Sequence, residues 1–84
     1  MDAIVEQTIT KAVDEAYTTW AHAHPNLAAV IDSIDLRKQA AQSLRQTRGY
    51  QQALAAYHAA NDELALLHQL VELAEPVIMG LLAV

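Results

Sequence analysis

Cysteine is absent from this 84-residue chain, which removes disulfide staples and thiolate metal sites from consideration and fits a reducing compartment. Phenylalanine is absent too, and Tyr17, Trp20, Tyr50 and Tyr57 are the whole aromatic set. The core must therefore be built from Ala, Leu, Ile and Val. Two glycines and two prolines leave long stretches without a helix breaker, and strands are poorly supplied. No basic segment followed by an apolar run opens the chain, which instead carries Asp2 and Glu6 near its start; a secretory leader is not expected, and a cytoplasmic location is. There is no Gly-rich phosphate loop, and Ser33 and Ser43, the only serines, sit in no nucleophile elbow. A non-catalytic protein without a cofactor is the expectation.

What the chain does have is seventeen alanines and eleven leucines, strong helix formers whose small and branched side chains suit close helix packing. An all-α fold follows: one domain over residues 1–84, a small antiparallel bundle of three main helices and one short one. At this length folding buries only roughly 60–65% of the chain's surface, so the core is thin and a second copy would enlarge it.

The periodicity locates the elements. Val5, Ile9, Ala12, Val13, Ala16, Tyr17 and Trp20 recur every three or four residues, predicting a helix over 3–23 with Asp2 as its cap. Pro25 stops it and opens a short helix over 26–33, carrying Leu27, Val30, Ile31 and Ile34 toward the core. Ser33 or Asp35 caps a third helix over 36–48, broken or kinked at Gly49. From Tyr50 the residues Leu54, Tyr57, Asn61, Leu64, His68 and Val71 alternate steps of four and three, the seam of a helix over 50–75. Pro76 ends or kinks that helix and leaves an apolar tail over 77–84.

The tail carries the strongest functional signal. Ile78, Leu81 and Leu82 need cover, supplied by this subunit, by a second copy or by another protein, with Leu64, Leu67 and Val71 as the adjoining groove wall. Asn61 stands where the seam calls for an apolar side chain, as a register residue would in a dimer, unless it marks a bend or points outward. Eight apolar residues fall far short of the ~20 that a membrane-spanning helix needs, and extending upstream brings in Glu72 and Glu75. Membrane insertion is not expected.

Charge is unevenly placed: residues 36–49 hold Arg37, Lys38, Arg45 and Arg48 and no acid, while the chain as a whole carries −5. At ~100° per residue all four bases share one side of a helix. Such a stripe can contact phosphates or an acidic protein surface, or pair with a neighbouring helix. Nucleic acid fits less well, because the bases are few and no aromatic is interleaved among them. Two i,i+4 pairs, His58 with Asp62 and His68 with Glu72, raise a histidine/carboxylate metal site; the Glu-x-x-His motif of di-metal bundles is missing, and no metal ligand is assigned. The leading expectation is a small protein–protein interaction or regulatory module that self-associates, most simply as a homodimer. A nucleic-acid-binding accessory protein and a metal-binding helical protein are the alternatives.

Overall fold

Six of the seven apolar residues that recur through the N-terminal segment are buried on one face of α1 (Ala3–Ala23), and the seventh, Tyr17, is half-buried beside them. The structure, a computed structural model, describes residues 3–82; the expected Asp2 cap and the tail's last two positions lie outside the described residues. Thr8 is buried among the apolar side chains of α1 and donates its hydroxyl to the Ile4 carbonyl at 2.7 Å, which satisfies it within the helix.

The connection after α1 differs from expectation. Pro25 does open a helix, but α2 (Pro25–Ala28) is a single turn. One turn cannot present a continuous apolar face, and Leu27, Val30 and Ile34 remain exposed while Ile31 packs against the core. Helix α3 (Ser33–Arg45) begins earlier than the predicted 36–48, because Asp32 is its cap: the carboxylate accepts from the Ile34 and Asp35 amides.

The break before the C-terminal half falls at Gln46 and Thr47, ahead of Gly49. Thr47 is extended at φ −82° and ψ 151°, and its hydroxyl accepts from the Tyr50 amide to start α4 (Arg48–Ala60). Gly49 lies in the first turn of α4 and does not break the chain; the end of the Leu73 side chain packs into the space a Cβ would fill there. The single helix expected over 50–75 is in fact two. Asn61 adopts the left-handed conformation and ends α4, and the Asp62 carboxylate accepts from the Ala65 amide at the start of α5 (Glu63–Leu82).

Pro76 does not end α5; it lies inside it, at an exposed position. A proline ring on the solvent side lets the helix bend and leaves the freed carbonyl open to water. Residues 77–82 therefore continue the helix.

The result is an all-α bundle. Helices α1 and α5 form its most extensive pair, and α3 and α4 each pack against α5. The interior is one cluster: Ile9, Val13 and Trp20 from α1, Leu36 and Leu44 from α3, Tyr50 and Tyr57 from α4, and Leu66, Leu70 and Ile78 from α5, with Ala12, Ala16, Ala40, Ala53 and Ala74 where backbones approach. In α5 the buried stripe is Leu66, Leu70, Ala74 and Ile78, displaced from the predicted seam because the turn at Asn61 resets the helical phase.

Candidate interaction surface

Two of the four bases in the predicted stripe form ion pairs with a neighbouring helix at the surface. Arg37 donates to Asp14 at 2.8 Å and Arg45 to Glu6 at 2.6 Å, both from α3 to α1. Each pair is spaced eight residues along its own helix, which fixes the two helices antiparallel. Arg37 also donates to the Ser33 carbonyl, and its guanidinium lies 5.8 Å from the Tyr17 ring centre. Lys38 and Arg48 stay exposed. The matching intervals, Glu6 to Asp14 and Arg37 to Arg45, were the sequence signal for this zipper, and reading the stripe alone misses it.

The six residues expected to meet a partner separate. Ile78 is 1% exposed, fully inside the core. Leu67, Val71, Leu81 and Leu82 are half-buried and pack against it. Leu64 is 62% exposed and faces away from the bundle. Of the two readings of Asn61, a register residue in a helical seam and a bend that points outward, the second holds: it occupies an exposed turn at φ 58°.

Exposed apolar surface concentrates elsewhere. Val30 is 80%, Ile34 62% and Leu27 51% exposed; Leu27 and Val30 lie in the crossover from α1 to α3, and Ile34 in the first turn of α3. The Val30 amide bonds the Leu27 carbonyl at 3.2 Å, which folds the crossover into one corner. Next to it an open groove of about 270 Å³ runs between α1 and α3, with Val13, Ile34 and Ala41 as apolar lining and Thr10 and Lys38 at its rim. A second, smaller hollow of about 190 Å³ lies between the end of α1 and α5, lined by Trp20, His24, Glu75 and Met79. There the His24 ring stacks on Trp20 at 5.5 Å between centres, and its Nδ1 is 3.2 Å from the Trp20 carbonyl.

The histidine and carboxylate pairs do not converge. His58 belongs to α4 and Asp62 to the turn after it, where its carboxylate is already occupied in capping α5. His68 and Glu72 are both exposed on α5. Among the described residues no group of three or more His, Asp or Glu side chains is placed to hold a metal ion.

Continuity through Pro76 also changes the membrane argument. With 20 residues and a mean hydropathy of 1.4 over 18 of them, α5 is long and apolar enough to cross a bilayer by length and composition, which the eight-residue count had excluded. In this fold its buried stripe is covered by α1, α3 and α4, while Glu72 and Glu75 stay exposed.

Compared with protein-family models, with curated proteins and with solved structures, the chain matches none.

Proposed function

We propose that this chain is a small, non-catalytic protein–protein interaction module that self-associates. The observation that carries the reading is the exposed apolar corner of Leu27, Val30 and Ile34, each more than half open to solvent. Scattered single apolar residues on a surface need no explanation, but three at one crossover form a patch of the kind that marks association. The C-terminal residues first singled out for this role support it only indirectly. Ile78 and its neighbours complete the core and so leave the crossover as the larger uncovered apolar surface.

Bases tied to α1 contribute less to an anion-binding face, which favours contact with protein over contact with phosphate. Light scattering of the full chain across a hundredfold range of concentration is the direct test. A mass that rises to twice the monomer supports the reading. A monomer throughout, with no loss of helical signal, removes self-association from it.

A further inference from the structure

We infer that the hollow between the end of α1 and α5 binds a small organic cation: a protonated amine carried on an apolar body of about one ring. This goes beyond the self-association proposed above and does not depend on it.

Size sets the class of ligand. A cavity of about 150 Å³ is enough to take a benzene ring, and this hollow offers about 190 Å³. Pockets for drug-sized ligands begin at roughly 300 Å³, so a single ring or a short chain is what fits. The walls are apolar: Ala16, Trp20 and Ala23 on α1, and Met79 on α5. Ala16 and Trp20 are buried in the core, and the Trp20 ring is held between those of Tyr17 and His24, with centres 5.8 and 5.5 Å away. That wall is in place before a ligand arrives. Met79, 52% exposed, is the adaptable wall, since an unbranched thioether can follow the shape of what it covers.

The polar groups set the sign of the charge. Glu75 contributes a carboxylate to the lining, with no lysine or arginine beside it, and it enters neither of the ion pairs among the described residues. His24 holds Nδ1 3.2 Å from the Trp20 carbonyl. A carbonyl only accepts, so the proton is on Nδ1 and the Nε2 of the neutral ring is an acceptor. The face of an indole also attracts a cation brought within about 6 Å of its centre. Carboxylate, imidazole nitrogen and indole face therefore all favour a positively charged donor, and the chain's net charge of −5 draws cations in the same sense. The groove between α1 and α3 differs on this point, because Arg37 and Lys38 line it.

The experiment uses the full chain and benzylammonium as the probe. Trp20 is the only tryptophan, so its emission reports on the hollow directly. Benzylammonium should change that emission saturably, with Kd on the order of 1 mM for so small a ligand. Benzyl alcohol, the same ring without the charge, should bind about fivefold more weakly, the worth of one solvent-exposed ion pair, and phenylacetate should not bind. Glu75→Gln should weaken benzylammonium to the level of the alcohol and leave the alcohol unchanged. Ala23→Leu, a substitution at an exposed position of the lining, should fill the hollow and abolish both, with circular dichroism unchanged. Equal affinity for benzylammonium and benzyl alcohol, or a benzylammonium affinity that Glu75→Gln leaves unaltered, overturns the assignment of a cation. An emission change that stays linear in probe concentration, or that Ala23→Leu does not reduce, overturns the site itself.

Discussion

At Asn61 the backbone takes φ 58° and ψ 32°, the left-handed conformation in which Asn and Gly are tolerated and branched residues are not. That one residue decides whether the C-terminal half is one helix or two. It lets the chain reverse so that Tyr57 and Leu66, both buried, face one another across the turn. Asn61→Gly should leave stability within about 0.5 kcal/mol, because glycine adopts the same conformation. Asn61→Val should cost about 1–2 kcal/mol, measured by urea unfolding. Equal stability of the two variants would mean that the turn does not hold this conformation. Neighbouring Asp62 is constrained in a different way, through its bond to the Ala65 amide, so its replacement by alanine tests the cap and not the turn.

Among the elements, α1 was legible from the sequence as far as its end at Ala23, since its apolar spacing is uninterrupted and Pro25 follows that end. The elements after it were legible as helices but not in their limits. Asn61 reads as a seam residue because its spacing from Tyr57 and Leu64 is helical; only the left-handed backbone distinguishes a cap from an interior polar residue, and composition does not report it. Pro76 reads as a stop because proline lacks the amide, yet α1, α3 and α4 hold α5 along its length, and packing outweighs the lost hydrogen bond. The exposed corner was the least legible part of the candidate site, as Leu27, Val30 and Ile34 sit at helical spacing and α2 is too short to use it. Since Pro76 is carried at a cost, Pro76→Ala should stabilise the protein by about 2–3 kcal/mol, the helix-propensity gain less the entropy proline removes from the unfolded chain. A rise in melting temperature checks this; a fall would mean that the bend at Pro76 is needed for α5 to follow its neighbours.

The whole molecule is long and thin for its size, 41 × 20 × 20 Å, with a radius of gyration of 12.8 Å. Its accessible surface of 5422 Å² exceeds the roughly 4,900 Å² expected of a monomer of this mass. Burying the corner of Leu27, Val30 and Ile34 against a second copy would offset part of that excess, and the melting temperature should then rise with protein concentration. Within one copy the last turns of α5 matter more. Ile78 is fully buried, and Val77, Leu81 and Leu82 pack beside it. Full burial is worth roughly 1.5–3 kcal/mol for such a side chain, so Ile78 with the three half-buried neighbours supplies on the order of 4–8 kcal/mol before the entropy of ordering them is subtracted. Total stability for a chain this short is on the order of 4–13 kcal/mol. Ending the chain at Glu75 removes all four and uncovers the end of α1 around Ala16 and Trp20, which that half of α5 borders. The truncated protein should lose cooperative thermal unfolding, and Trp20 fluorescence should shift to the red as its ring is wetted. Leu64→Asp, at an exposed site of the same helix, should change neither. A truncated chain that still melts cooperatively within a few degrees of the full one would show that α1, α3 and α4 close the core without the final turns of α5.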